Sequence, residues 1–170
     1  MEIDDIDREI LEILQENGRI PISKIAKKIG KPRTTIRERI TKLEEEKYIL
    51  GYRAIINPEK IGFKYLAIIM VKVRRGPFHI SRNQIEIAKK IINDCRSRDD
   101  MPYVEEAHIV TGVYDIALKV WVRSWDELSK FLIQYLASLE EIDSTETFMV
   151  LEKIPNVPHP FPLKSKKHKK

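Results

Sequence analysis

The chain has 170 residues, of which 42% are apolar and 34% charged, and its formal net charge is +5, so a packed soluble core is expected. No apolar run approaches the ~18 residues of a membrane-spanning helix, and the acidic start Met1–Asp5 is unlike a signal peptide. The single cysteine, Cys95, excludes a disulfide framework and is typical of a reducing compartment. We therefore expect a cytoplasmic protein that does not enter the membrane.

The positive charge is concentrated in two stretches of the chain. Residues 19–42 contain nine Lys or Arg and one acid, whereas residues 1–18 contain seven acids and one Arg. Residues 153–170 contain six Lys and no acid. A local basic block is the electrostatic footprint of nucleic-acid binding, although a solvated lysine-rich surface would give the same count.

Three helices are predicted at the start of the chain. Isoleucine recurs at helical spacing over about residues 4–16. Asn17-Gly18 is expected to end this first helix, since both residues tolerate the left-handed conformation of a helix C-terminus. The second helix is short and ends at Gly30, and Pro32 can occupy the first turn of the third. Two helices joined by a turn of this length match a helix-turn-helix. The pattern predicts a DNA-binding domain over residues 1–51.

The rest of the chain follows a different pattern. An extended segment after Gly51 predicts a hinge strand and linker over residues 52–63. Alternating apolar residues and two capping boxes, Ser81–Gln84 and Ser124–Glu127, then give the order strand, helix, strand, strand, helix, strand. The strands are expected at Leu66–Val73, Val104–Val110, Tyr114–Val122 and Thr145–Leu151.

This βαββαβ order is ferredoxin-like. The predicted fold is therefore α+β, with an N-terminal helix-turn-helix domain joined by a hinge strand to a ferredoxin-like domain over residues 64–153. The Pro- and Lys-rich residues 154–170 cannot pack a core, and we expect them to be disordered. Residues 96–101, in the second domain, are expected to form a loop.

The third helix has the two faces that a recognition helix needs. Ile36, Ile40 and Leu43 point inward at 100° per residue, and polar side chains that can donate and accept at base edges lie opposite them. Lysines of the preceding helix flank this face and can hold phosphates. The candidate DNA-binding residues are Arg33, Thr34, Thr35, Arg37, Glu38, Thr41, Lys24, Lys28 and Arg39.

Two of these candidates have an alternative structural interpretation. Glu38 lies four residues before Lys42, so the two side chains can form a helical ion pair. Arg39 lies on the flank of the helix near the core, where a structural ion pair is as plausible as a phosphate contact. The sequence leaves both alternatives open.

Several short motifs in order along the chain resemble the Lrp/AsnC family, also called feast/famine regulators. The matching residues are Asp4–Leu11, Asn17–Ile20, Thr35–Glu44, Ile49–Tyr52, Asn57-Pro58, Thr111–Asp115 and Thr145–Thr147. The resemblance implies a winged or plain helix-turn-helix, a hinge strand, and a ligand-sensing ferredoxin-like domain that forms a homodimer and assembles further, up to an octamer. It departs from the family at Pro32, where a capping Ser or Asp is common, in a longer loop around Arg96–Met101, and in the added Pro- and Lys-rich tail.

The resemblance also implies an effector site at the turn Gly112, Val113, Tyr114 and Asp115, which looks like the family's G-x-x-D motif. Gly112 would let main-chain N–H groups approach the carboxylate of an amino acid, and Asp115 would pair with its ammonium group. In the alternative interpretation Gly112 only supplies a positive φ for the turn and Asp115 only caps a strand end.

An enzyme is the competing class of function, because some proteins that resemble this family decarboxylate a tetrapyrrole. The second domain contains only two histidines, His79 and His108, with no metal-ligand spacing, and His108 is expected to pack within a strand. No Ser-His-Asp or Cys-His set is visible. We therefore expect a transcription regulator that binds double-stranded DNA and has no catalytic residue, metal or cofactor. A ligand-sensing assembly module without DNA binding is the third alternative.

Overall fold

The computed structural model describes residues 3–74, 82–154 and 161–163, and it divides the chain into two compact units. The first unit contains residues 1–55 together with the C-terminal residues 155–170, and the second contains residues 56–154. The predicted capping residue Ser81, the histidine His79 and most of the tail expected to be disordered lie outside the described residues. Within the described residues, no helix is long and apolar enough to cross a membrane.

The first unit is a bundle of three helices, α1 (Asp5–Glu16), α2 (Ile22–Ile29) and α3 (Arg33–Glu45). Asp4 caps α1 by accepting a hydrogen bond from the backbone N–H of Asp7, whose carboxylate accepts in return from the N–H of Asp4. Gly30 ends α2 in the left-handed conformation, with φ of 72°. The core of the bundle contains Ile10, Ile25, Ala26, Ile36 and Leu43.

The second unit has the βαββαβ order that the sequence predicted. Its elements are β1 (Tyr65–Val73), α4 (Arg82–Ser97), β2 (Tyr103–Ile109), β3 (Ile116–Val122), α5 (Trp125–Ser129) and β4 (Ile142–Met149). A π-helical segment, Lys130–Tyr135, and a 3-10 turn, Leu136–Ser138, continue α5. The four strands form an antiparallel sheet in the order β2-β3-β1-β4.

The strands alternate between two environments, as a sheet with helices on one face requires. The core between the sheet and the helices takes Ile69 and Val71 from β1, Leu118 and Val120 from β3, and Phe131 from the helical layer. The opposite face of the sheet carries a smaller cluster of Phe63, Leu66 and Trp121. The predicted ferredoxin-like fold is confirmed, and the described helices of this unit pack on one face of the sheet.

The structure corrects four local predictions. The predicted hinge strand at Tyr52–Ile56 is absent, because no described segment pairs with these residues and a strand needs a hydrogen-bonding neighbour. Helix α4 continues through Ser97 and Met101 is buried, so the predicted loop over residues 96–101 is shorter than expected. Asn17 ends α1 in an extended conformation, with φ of −149°, and not in the left-handed one. Pro32 precedes α3 as its cap and does not lie within the first turn.

Candidate nucleic-acid interface and effector turn

Helix α3 presents the predicted polar face to solvent. Ile36 and Leu43 are fully buried and Ile40 is half-buried, so the apolar stripe lies on the bundle side. The exposed candidates on the other side of α3 are Arg33, Thr34, Arg37, Glu38 and Thr41. The remaining candidate, Thr35, is half-buried. The helical phase deduced from the sequence is thus the phase in the structure, and the DNA contacts of these side chains stay predictions.

The exposed cations of α2 and α3 are available for an external partner. The side chains of Lys24, Lys28, Arg33 and Arg37 are hydrogen-bonded or ion-paired to no other described residue. Glu38 likewise forms no ion pair with Lys42 among the described residues, so the helical pair that the sequence left open is not formed. This group of unneutralised cations gives the bundle a positive surface on one side.

Two prolines leave the N-termini of α2 and α3 open. Pro21 precedes α2 and Pro32 precedes α3, and neither helix has a side-chain cap at its first turn. The first N–H groups of a helix have no partner within the helix, and the helix dipole favours an anion there. A phosphate group is a suitable partner for such N–H groups. With Pro32 as its cap, α3 therefore begins with N–H groups that no capping side chain occupies.

Arg39 differs from the other candidates because it is bound within its own domain. Its Nη1 lies 2.6 Å from a carboxylate oxygen of Asp4 and 2.8 Å from one of Asp7. The Asp7 side chain is only 6% exposed, so Arg39 neutralises a buried charge. The backbone N–H of Asp7 and the Arg39 guanidinium together lower the pKa of Asp4. The structure shows the ion pair that the sequence had left as one of two alternatives.

The turn between β2 and β3 contains the four effector candidates. Gly112 has φ of 117°, a backbone conformation that favours glycine. No heavy atom lies within 4 Å of the position that a Cβ would take, so a steric clash is not the reason for glycine at this position. The main-chain N–H groups of Gly112, Val113 and Tyr114 donate to no described residue. They are free to meet an anionic ligand.

Asp115 has structural partners in this turn. Its carboxylate accepts a hydrogen bond from the backbone N–H of Val73 at 2.8 Å and another from Nε2 of Gln84 at 2.7 Å. The neighbouring Tyr114 hydroxyl donates to the carboxylate of Glu146, and this bond raises the pKa of Tyr114. The sequence did not predict Gln84 and Glu146 as partners in this turn, although Gln84 belongs to the first capping box and Glu146 to the last-strand motif.

Catalytic chemistry has little support in the described residues. No group of three His, Cys, Asp or Glu side chains there can hold a metal ion. The expectation that His108 is packed is wrong, because its ring is exposed and lies 3.1 Å from Glu106. Burial raises the pKa of the Cys95 thiol to about 12, which removes the thiolate that a nucleophile requires.

Comparison with known proteins identifies both units. Residues 3–44 match the family model of the AsnC-type helix-turn-helix domain, and residues 66–157 match that of the Lrp/AsnC ligand binding domain. The HTH-type transcriptional regulator FL11 of Pyrococcus furiosus is 35% identical over 150 residues, which cover 88% of this chain and 90% of that one. The leucine-responsive regulatory protein of Haemophilus influenzae is 32% identical over 152 residues, or 89% of this chain and 86% of that one.

Two solved structures share the fold. The structure of E. coli AsnC superposes with a TM-score of 0.74 at 31% identity and covers 93% of this chain and 99% of its own. A transcriptional regulator from Neisseria meningitidis, solved as a complex with L-Met, superposes with a TM-score of 0.79 at 23% identity and covers 95% of this chain and 97% of its own.

A helix-turn-helix with a free basic face, followed by a ligand-binding ferredoxin-like unit, defines a DNA-binding transcription regulator. One of its relatives carries the name of a transcriptional regulator and another that of a regulatory protein, and each alignment covers 86% or more of both chains. The chain belongs to the Lrp/AsnC family.

Proposed function

We propose that this regulator reads a specific DNA sequence with the exposed face of α3 and holds the DNA backbone with α2. The observation that carries the proposal is the set of unpaired side chains opposite the buried stripe of Ile36 and Leu43. Arg37 and Glu38 lie at the centre of that face and suit guanine and cytosine edges, whereas Lys24 and Lys28 suit phosphates. Selection of bound fragments from random DNA tests the proposal, and recovery of no common motif would refute it.

We further propose that the protein works as a homodimer, or as a higher assembly such as an octamer. The sheet face without helices supports this proposal, since Phe148 on β4 is 50% exposed and half-buried Ile68 and Met70 on β1 are its apolar neighbours. An exposed apolar face of this kind favours an isologous contact. Two copies related by a twofold axis would place two α3 helices on a near-palindromic site. A monomer by light scattering at micromolar concentration would contradict the proposal.

We also propose that a free amino acid binds at the turn of residues 112–115 and modulates DNA binding. The free N–H groups of Gly112, Val113 and Tyr114 suit its carboxylate, and the carboxylate of Asp115 suits its ammonium group. The L-Met complex of the Neisseria protein supports the class of ligand. Calorimetric titration with each standard amino acid tests the proposal, and the absence of heat with every one of them would refute it.

We also propose that this chain acts as a transcription regulator without catalytic activity. Two features of the described residues support the proposal: His108 is exposed and contacts only the carboxylate of Glu106, and burial keeps the thiol of Cys95 protonated. The expected place of action is the cytoplasm. A visible absorbance band in the purified protein, followed by turnover of a tetrapyrrole, would revive the alternative function.

A further inference from the structure

Two neighbouring residues of the effector turn bond to different parts of the second unit. The Asp115 carboxylate accepts a hydrogen bond from Nε2 of Gln84 on helix α4, which packs in the core between the sheet and the helices. The Tyr114 hydroxyl donates instead to the carboxylate of Glu146 on strand β4. The turn is therefore joined to the helical layer through one residue and to the sheet through the next.

Glu146 lies on the side of the sheet away from the helical core, which we call the outer face. It is the cross-strand partner of Met70, and Met70 stands between Ile69 and Val71, which are fully buried in that core. Successive residues of a strand alternate between the two faces, so Met70 and Glu146 share the outer face. Phe148 follows Glu146 by two positions and lies on the same face. Glu146 is thus an acid within the apolar surface that we propose as the homodimer contact.

The charges on the neighbouring strands β2 and β3 neutralise one another. Lys119 on β3 lies 3.0 Å from a carboxylate oxygen of Glu106 and 3.2 Å from one of Glu105, both on β2. A group of this kind carries its own counterions when a partner covers it. The charged part of the sheet therefore needs no help from the effector turn.

Glu146 depends on a different kind of partner. It forms no ion pair with a described residue, and Lys72 on β1 is instead 3.9 Å from Asp143. Its hydrogen-bond donor is the Tyr114 hydroxyl. Removing a carboxylate from water is costly unless hydrogen-bond donors replace the water. A contact that covers Glu146 together with its apolar neighbours therefore requires the bond from Tyr114.

We propose that Tyr114 is a positioning residue of the homodimer interface, whose hydroxyl partners the Glu146 carboxylate on the outer face and so ties the effector turn to the association of two copies. The inference rests on the proposed homodimer and deepens it. The backbone N–H of Tyr114 is also one of the three groups that suit an amino-acid carboxylate. A ligand that holds this main chain also holds the ring in place for Glu146, so ligand binding and association strengthen each other by the same factor.

The first test is Tyr114→Phe, which removes the hydroxyl and keeps the ring. An isologous contact contains the pair twice, so the dimer dissociation constant should rise about tenfold or more. Fluorescence-detected sedimentation over a dilution series down to nanomolar concentrations measures this constant. Tyr103→Phe is the matched control, because Tyr103 is 47% exposed, is the cross-strand partner of Trp121, and has a hydroxyl that bonds to no described residue. The control should leave the dissociation constant unchanged.

The second test adds Glu146→Leu, which distinguishes a role in the interface from a local role in the turn. Replacing both members of a hydrogen-bonded pair by apolar groups is nearly neutral. The double variant Tyr114→Phe/Glu146→Leu should therefore associate at least as tightly as the wild type. A bond that only holds the turn to its own sheet predicts that Tyr114→Phe lowers the free energy of unfolding and leaves association unchanged, and this result would overturn the proposal. Failure of Glu146→Leu to restore association would overturn it as well.

The third test adds ligand, with L-methionine, the ligand named for the Neisseria protein, and every other standard amino acid that gives heat in calorimetric titration. A bound amino acid should lower the dimer dissociation constant of the wild type about fivefold and leave that of Tyr114→Phe unchanged. An equal shift in both would overturn the tie between turn and interface. The absence of heat with every amino acid would refute the proposed effector site, while the variants without ligand still decide the role of Tyr114. A wild-type chain that sediments as a monomer would refute the proposed homodimer and this inference with it.

Discussion

Replacing Arg39 by Ala should destabilise the helix-turn-helix unit without changing its base preference. Arg39 is the ionic partner of Asp7, whose side chain is 6% exposed, and it also binds the capping residue Asp4. Removing one partner of a fully buried ion pair costs about 3–5 kcal/mol. Because Arg39 is 29% and Asp4 50% exposed, water screens part of this charge, and we expect a loss of about 2 kcal/mol.

Hydrogen exchange at the amides of Ile10 and Ile36 measures this loss locally, since both residues lie in the bundle core. The matched control is Arg37→Ala, on the same helix but with no described partner, which should change stability by less than about 0.5 kcal/mol. If Arg39→Ala leaves exchange unchanged but relaxes preference at a base, Arg39 contacts DNA and the ion pair is not what holds α1 to α3.

The same network predicts the response of the unit to acid. Hydrogen bonds from the Asp7 backbone and from Arg39 lower the pKa of Asp4 below its ordinary value of 3.8. A carboxylate with a lowered pKa contributes stability that is complete above the unfolded-state pKa and is lost as the pH falls through the folded-state pKa. The wild-type bundle should therefore lose stability below about pH 3.8 more steeply than Arg39→Ala does, and parallel pH profiles would contradict the assignment.

Three further predictions concern the proposed contacts. Arg37→Ala should reduce the free energy of binding to the selected site by about 1–3 kcal/mol and relax the preference at one base, whereas Lys28→Ala should weaken binding to all DNA sequences alike and make the salt slope shallower by about one unit. Selection of bound DNA with both variants compares the two outcomes. If Lys28→Ala changes the base preference and Arg37→Ala does not, the proposed orientation of α3 is refuted. Phe148→Glu should convert the assembly to smaller species in light scattering, because it places a charge on the apolar sheet face, and an unchanged mass would exclude that face as the interface. Gly112→Ala places an alanine at φ of 117°, which costs about 1 kcal/mol or more of conformational strain. The substitution should abolish amino-acid binding in calorimetry, while DNA binding without effector persists. Intact amino-acid binding would show that the turn is not part of the effector site.

Local sequence patterns were sufficient for the helical phase of α3 and for the order of the second domain. Ile36 and Leu43 are buried because a helix repeats every 3.6 residues, and that period is visible in any single helix. The same local pattern could not choose between two partners for Arg39, since Asp4 lies 35 positions away and either partner satisfies a guanidinium. The hydrogen bonds of Asp115 with Gln84 and Val73 could not be predicted for the same reason, because these residues come together only in the folded domain.

The prediction of a hinge strand at residues 52–56 was wrong for a different physical reason. Tyr52, Ile55 and Ile56 have high strand propensity, but propensity describes how a side chain fits a pleated surface and supplies no hydrogen-bonding neighbour. Tyr52 instead donates from its hydroxyl to Glu44 at 3.0 Å, and its ring lies against Gly18, where an added Cβ would come within 3.2 Å. The start of the linker is thus held by side-chain contacts with the bundle and not by a strand ladder.

The distribution of charge within the bundle supports the orientation of α3 on DNA that we propose. Exposed acids of α1, among them Glu9 and Glu16, repel phosphates from one side, while the free cations of α2 and α3 attract them on the other. Arg39 does not add to this attraction, because the carboxylates of Asp4 and Asp7 neutralise its charge within the bundle. A uniformly basic bundle would bind DNA in many orientations through phosphates alone. The separation of charge should instead favour encounters in which α3 faces the groove, and the proposed contacts of Arg37 and Glu38 with base edges need that orientation.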